Sequence, residues 1–493
     1  MNEFHFPWLI TSVLVPLIGT VVVGRVKDVC QARHLCLVFS VITFALTLCA
    51  WRDFVVLDTY QAVDNWDFGQ EWLGQRLLRV DELSVPLLPL AALLHVLTTV
   101  TTLRTKMRRF SFAWSLASLA MVLAMFACDD PWSLIVFMSA AVVPPYIELR
   151  SRNKPTGVYV FHMALFVGLL IAGQAAVEAE GQSMHSLWAI VPLVGAVFIR
   201  TGIIPLHCWM TDLFENATFG TALLFCTPVS GAYAAVRLVL PVAPDWVLRS
   251  IGIMSLATAV YAAAMALVQT EARRFFCYVL LSNTALVLAG LESASALGLT
   301  GALCVWLSIG LSLGGFGVVL RALEARRGRL SLTEFNGLYE HMPTLAVCFM
   351  LTGLASVGFP GTLGFIGGEL LVDAAVEAYP YIGVVVVVAA AFNGIAVLRA
   401  YFYLFTGTRY QSSISLQIGA REKLSVLILA TLLIGGGLFP QMNVSSRYHA
   451  AKQLLDHRDK RLEDKDDDDE QGDKHDDDKH DDDTIDRQAD REP

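Results

Sequence analysis

Ala296-Leu-Gly-Leu-Thr-Gly-Ala-Leu-Cys-Val-Trp-Leu-Ser-Ile-Gly-Leu-Ser-Leu-Gly-Gly-Phe-Gly-Val-Val-Leu320 contains no Asp, Glu, Lys, Arg or His. A helix crosses the hydrocarbon core of a bilayer with about 20 apolar residues, so this run reads as a membrane span. Working outward, comparable runs fall near 7–24, 33–51, 84–103, 110–128, 132–148, 156–177, 186–206, 217–240, 246–269, 274–292, 343–374, 381–406 and 422–440. The pattern predicts an all-α, polytopic membrane helix bundle of about fourteen transmembrane helices. Only Asp129, Asp130 and Pro131 separate two of the runs, which makes those helices antiparallel neighbours. No stretch is left over for an independent soluble domain within 1–440.

Composition supports the same solvent assignment, with 55% hydrophobic and 16% charged residues and a mean hydropathy of +0.55. Residues 463–493 hold 17 acidic against 5 basic side chains, so a total charge of −9 splits into −12 for this stretch and +3 for the remainder. A mildly basic membrane body with an acidic end is not a nucleic-acid binder. The nine cysteines show neither C-x-x-C nor cysteine–histidine spacing, which excludes a recognisable zinc or iron–sulfur site, and no Gly-rich dinucleotide loop occurs. Neither a cofactor nor a metal is expected, and no redox chemistry in this chain. Pro7 to Gly24 lacks a basic n-region and reads as a retained first span.

Alternate loops differ in charge. One set carries Arg25, Lys27, Arg33; Arg104, Lys106, Arg108, Arg109; Arg150, Arg152, Lys154; Arg273, Arg274; Arg321, Arg326, Arg327, Arg329; and Arg409, Arg421, Lys423. The other set is acidic or short. Basic loops stay cytoplasmic, so an even helix count places both termini outside a bacterial-type inner membrane. Residues 441–493 are taken as a charged acidic tail. From about Leu462 they repeat His-Asp-Asp-Asp units without apolar periodicity and are expected to be disordered.

Several spans are interrupted. Pro144-Pro145, Pro205 and Pro228 each remove a backbone donor, and Gly358-Phe-Pro360-Gly361 with Gly364, Gly367 and Gly368 breaks the span near 343–374. Non-helical backbone at membrane depth survives only against protein or water, and transporters use it to face ions. Ionisable residues inside spans cost about 2.5–3.5 kcal/mol each on insertion scales and mark function by default. Arg200 and Glu369 each adjoin a break, and Glu369 is expected in a protein-lined cavity. His162 reads as a satisfied core histidine; Glu148 and Arg237 read as snorkelling near span ends.

These residues carry a resemblance. Ile204-Pro-Leu-His-Cys-Trp-Met-Thr-Asp212, continuing through Glu215-Asn-Ala-Thr-Phe-Gly-Thr221 to Gly231-Ala-Tyr233 and Pro244-Asp245, is similar to the P-L-H-x-W-x-x-D-A-H-x-E-A-P-T-x-G-S stretch of a known family. That family is the antiporter-like membrane subunits of proton-pumping NADH-quinone oxidoreductase, shared with multisubunit cation/proton antiporters, and the likeness is to its M-type members. Gln269-Thr-Glu271-Ala-Arg273-Arg274 through Tyr278 resembles the family's Q-x-D-x-K-K…Y. Gly358-Phe-Pro-Gly361-Thr-Leu-Gly-Phe-Ile-Gly-Gly-Glu369 resembles G-x-P-G-T-x-x-F-x-G-E. The resemblance covers most of 80–440.

The resemblance implies broken helices in two antiporter-like repeats, a mid-membrane axis of protonatable residues, and partners among other antiporter-like and small membrane subunits in the lipid bilayer. The moved ion would be H+ or Na+. Candidate pathway residues are Arg200, Glu369, His207, His162, Ser139, Glu215, Asp212 and Arg237, none of them catalytic. Three departures stand out. Ser139 replaces the fifth-span acid, Arg200 replaces the seventh-span lysine, and the eighth-span lysine position falls near Val229. Glu369 also lies one residue later than the family's Glu. The implied function is a membrane-arm, M-like subunit contributing to proton translocation coupled to quinone reduction by partners. The alternatives are a cation/proton antiporter or inorganic-carbon uptake subunit, or a structural paralogue that no longer conducts.

Overall fold

The computed structural model describes residues 2–66, 76–103, 107–181, 186–290, 294–378, 380–408 and 419–460. Its helices are α1 (Trp8–Arg25), α2 (Val29–Leu57), α3 (Leu87–Val100), α4 (Phe112–Phe126), α5 (Pro131–Ser151), α6 (Gly157–Glu180), α7 (Leu187–Thr201), α8 (Cys208–Asn216) and α9 (Phe219–Val239). The chain continues with α10 (Asp245–Val268), α11 (Ala272–Ala289), α12 (Ala296–Arg327), α13 (Pro343–Val357), α14 (Leu363–Ala378), α15 (Pro380–Phe405), α16 (Ala420–Leu438) and α17 (Gln441–Lys460). Among the described residues nine helices are long and apolar enough to span a membrane, or ten if the bent pair α16 and α17 is one span. Four shorter apolar helices, α3, α4, α7 and α13, accompany them.

Local signals start the helices where the charge pattern permits. Asp130 accepts from the Ser133 N–H at 2.8 Å with Pro131 in the first helical position, and Ser295 accepts from the Gly298 N–H at 3.1 Å at the head of α12. The quoted stretch becomes the axis of the bundle: 89% of the apolar window in α12 is buried, against 28% in α2 and α6, which turn apolar side chains outward. Two glycines let α14 lie against this axis. A Cβ on Gly301 would stand 2.7 Å from the Leu371 N, and one on Gly367 would stand 2.8 Å from the Val305 N.

The fold is not purely helical. Asn2–Glu3, Gln61–Val63 and Arg79–Asp81 form a three-stranded sheet, the first pair parallel and the second antiparallel. With it at one end of the bundle lie Arg79–Asp129 (2.9 Å) and Arg237–Asp81 (2.8 Å). Helix α17 joins the same end, where Arg447 donates to the Leu83 carbonyl at 3.1 Å and Arg458 pairs with Asp245. The described N-terminus and α17 therefore share one end.

Helix α17 corrects the sequence reading, which assigned 441–460 to the tail. Ala450 and Ala451 are buried, and Arg447 and Arg458 bury their long stems and reach carbonyl and carboxylate partners. Charge density concealed a packed face. The repeats of 461–493 lie outside the described residues, as do Arg104, Lys106 and Arg409 of the basic loops.

At the opposite end the basic residues are largely paired. Arg273 meets Glu324 (2.6 Å), Arg326 meets Glu422 (2.8 Å) and Arg329 meets Glu271 (3.1 Å). Arg321 is no loop residue: it sits inside α12, buried, donating to the Thr98 carbonyl at 2.6 Å and the Thr102 hydroxyl at 2.8 Å.

Candidate functional site

The polar interior forms where two broken helices meet. Helix α7 ends at Thr201, with Gly202 in the left-handed region (φ 80°). Helix α9 breaks at Pro228, followed by Val229 at φ 52°. A Cβ on Gly231 would stand 2.5 Å from the Thr201 Cγ2 and 2.9 Å from its N, so glycine is what lets the two breaks touch. Proline has no N–H, and the Val229 N–H turns to the Cys226 carbonyl, which leaves the Phe225 carbonyl without its helical donor. Arg200 supplies it, at 3.1 Å. Trp306 donates to the Pro228 carbonyl at 3.1 Å and Trp209 to the Ile199 carbonyl at 2.6 Å.

Arg200 is buried, and its guanidinium carbon lies 4.0 Å from the Phe225 ring centroid and 5.5 Å from that of Trp209. Tyr159 closes the enclosure against both rings, with its hydroxyl on the Val142 carbonyl at 2.8 Å. Among the described residues no carboxylate comes within 4.0 Å of the guanidinium. A desolvated cation is held by ring faces, worth about 0.5–2 kcal/mol each, and by one carbonyl. Arginine keeps its proton, so the arrangement fixes a positive charge at the breaks.

The remaining candidates separate. His207 begins α8 half-buried, with its ring 5.6 Å from Tyr261 and 6.2 Å from Tyr278, and its Nδ1 is enclosed without a partner. His162 is half-buried and donates to the Val158 carbonyl at 2.8 Å, one turn back on α6. Asp212 accepts from the Asn216 amide at 2.9 Å through Oδ1, while Oδ2 is enclosed and unpartnered. Burial, and then the neighbouring Glu215, push the Asp212 carboxyl above its usual value, opposed by the Asn216 bond. Glu215 is half-buried, and its backbone carbonyl accepts from Arg329 at 2.6 Å. The Ser139 hydroxyl is enclosed and unpartnered on α5.

Three expectations change. Glu369 is exposed on α14 and makes no hydrogen bond or ion pair among the described residues, so they do not enclose it. Gly367 is the residue that packs α14 on α12, and Glu369, two residues on, points about 200° away from that face. Arg237 does not snorkel. It is clamped by Asp81 (2.8 Å) and Asp129 (3.4 Å), with Tyr233 under its guanidinium at 5.2 Å. Glu148 is likewise buried, accepting from the Thr218 N–H at 2.7 Å and hydroxyl at 3.2 Å and from the Thr221 hydroxyl, with Arg152 at 3.4 Å.

Sequence reasoning also passed over His95 and misplaced Arg321. His95 is buried on α3, with Nδ1 2.9 Å from the Ser40 hydroxyl and Nε2 without a well-aligned hydrogen bond among the described residues. The signal was present in Thr98, Thr99, Thr101 and Thr102, a run of hydroxyls too polar for a span that only anchors.

Broken helices around an enclosed cation, inside a bundle with an apolar rim, define an integral membrane protein with a polar interior. Residues 158–393 match the model of the family described as NADH:quinone oxidoreductase/Mrp antiporter, TM. NAD(P)H-quinone oxidoreductase chain 4 of Acaryochloris marina is 27% identical over 90% of this chain and 91% of its own length. NADH-quinone oxidoreductase subunit M of Pseudomonas aeruginosa is 26% identical over 91% of this chain and 97% of its own. A chain of respiratory complex I from Thermus thermophilus, solved with bound NADH, superposes with a TM-score of 0.79 at 21% identity, covering 91% of this chain and 99% of that one. The resemblance read from the motifs is borne out.

Proposed function

We propose that this chain is a membrane-arm, M-like subunit of a NADH-quinone oxidoreductase or close paralogue, and that it helps move protons while partner subunits carry the redox chemistry. The observation that supports this most is the caged Arg200 at the junction of two helix breaks. A plain anchor has no use for a fixed buried cation beside freed carbonyls, whereas a fixed positive charge sets the energy of a proton passing nearby. His207, His162, Ser139, Asp212 and Glu215 are the groups through which the path would run on that flank. Arg237, tied to two carboxylates, acts as a structural clamp, and Glu369 faces a partner subunit or lipid. About fourteen spans in two repeats, with both termini on the outer face, complete the proposal.

A second reading, a brace that no longer conducts, is favoured by two observations: Ser139 stands in the acid's place, and Glu369 is outside the bundle. Purification of the tagged chain from native membranes tests the assignment. Co-purifying flavin and iron–sulfur subunits are expected; recovery with antiporter subunits alone would overturn it. Proton uptake by reconstituted complex then separates conduction from bracing.

A further inference from the structure

We propose that His95 and Glu148 terminate a proton relay of their own, running from α3 across α4 to α5 and not through Arg200. It rests on the reading of the chain as a proton-translocating subunit. His95 is 1% exposed, and its Nε2, on the side of the Ser115 backbone, makes no well-aligned hydrogen bond among the described residues. A histidine kept only for packing would have both nitrogens satisfied, since buried polar atoms almost always are. Its ring borders a cavity of about 20 Å³ lined also by Ser115, Ser118, Leu224, Thr227 and Pro228, and the Thr227 hydroxyl is enclosed without a partner. A second cavity of about 10 Å³ is lined by Ser115, Ser118, Leu224, Trp114, Thr221 and Glu148. Ser115, Ser118 and Leu224 are common to both, so the two spaces lie back to back. Each is close to the roughly 10–15 Å³ one water molecule needs.

The chemistry matches the geometry. Protonated His95 releases its Nε2 hydrogen to a water in the first cavity. The Ser118 hydroxyl, donor and acceptor at once, passes a proton to a water in the second, and an O–H bond forms on Glu148. Imidazolium and carboxylate become imidazole and carboxylic acid; charge balances and no electrons move. The cations around the track are Arg152, 3.4 Å from Glu148, and Arg321, which donates to the Thr98 carbonyl one turn from His95. Arg33 binds the Val100 carbonyl at 2.7 Å further along α3. The break in α9 stands between the two systems: its Phe225 carbonyl binds Arg200, while Leu224, Thr227 and Pro228 line the His95 cavity.

The test is proton uptake per electron transferred, measured with a pH dye in vesicles holding the complete complex. His95→Gln is expected to assemble and to lower that ratio about tenfold or more, the scale of losing one positioned acid–base group. Ser118→Val, which fills the passage and leaves His95 on Ser40, should do the same. Assembled variants that both pump at the wild-type ratio overturn the relay and leave the proposed function standing. Wild-type vesicles that transfer electrons but take up no protons would sink the proposed function, and the relay with it. Where His95→Gln fails to assemble, Ser118→Val decides; should that fail too, Ser118→Ala, which removes only the hydroxyl, is expected to lower the ratio severalfold, and a wild-type ratio overturns the relay.

Discussion

At the break after Thr201 the adjoining charge is Arg200, enclosed by Phe225, Trp209 and Tyr159 and donating to the Phe225 carbonyl, which the turned Val229 N–H leaves without its helical donor. At the break after Val357, where Gly358 and Gly361 take φ near 87° and 84°, the adjoining charge is Glu369, exposed and without partner among the described residues. Both pair a backbone interruption with an ionisable residue, yet only the first is built inward. The difference lies in rotation. Arg200 falls on the buried face of α7, whereas Glu369 stands two residues, about 200° of helix, from Gly367, which marks the face of α14 that packs on α12. Backbone breaks locate polar interiors; helical phase decides which side chains enter them.

The sharpest way to break this comparison is to truncate one aromatic at each site. Trp209→Ala removes a fully buried ring that touches Arg200 and bonds the Ile199 carbonyl, and should cost about 3–5 kcal/mol in denaturant unfolding of the detergent-solubilised chain. Phe359→Ala, at the other break, removes a ring that is 53% exposed and should change stability by no more than about 0.5 kcal/mol. Equal effects would show that the two breaks are equally embedded. Next in size, Gly367→Val forces α14 off α12, where a Cβ already meets the Val305 N at 2.8 Å, for a loss of about 1–3 kcal/mol by the same measurement.

The smallest expected effect sharpens the comparison most. Glu369→Gln in the isolated chain should leave stability within about 0.5 kcal/mol. Moving the acid back one place, Gly368→Glu with Glu369→Gly, places it where a Cβ meets nothing within 4 Å. That variant should fold, measured by the same unfolding midpoint. A large loss in either would mean that the α14 surface is already committed within this chain.

Much of this was legible beforehand. Apolar runs located the helices because hydrocarbon tolerates nothing else, and Pro228 and Gly358 marked the breaks through what those residues do to the backbone. What failed needed neighbours. Glu148 and Arg237 were read as snorkelling from their places near span ends; hydroxyls of Thr218 and Thr221, and carboxylates of Asp81 and Asp129, arrive from distant parts of the chain. Helix α17 was hidden because a mostly charged sequence can still pack one face when arginine stems are buried. His95 lay in an apolar run whose following threonines, Thr98, Thr99, Thr101 and Thr102, signalled a polar interior without locating the cavity beside it.

The central claim is that Arg200 is a fixed cation that sets the field of the pathway and carries no proton itself. Proton uptake by vesicles of the assembled complex, compared for Arg200→Lys and Arg200→Met, tests it directly. Lysine keeps the charge over Phe225 and Trp209 and is expected to retain assembly and uptake. Methionine fills the space without charge, leaves the Phe225 carbonyl unpaired at a cost of about 1–3 kcal/mol, and is expected to impair assembly and lower uptake per assembled complex about tenfold or more. Methionine vesicles that assemble and pump like wild type would contradict the claim.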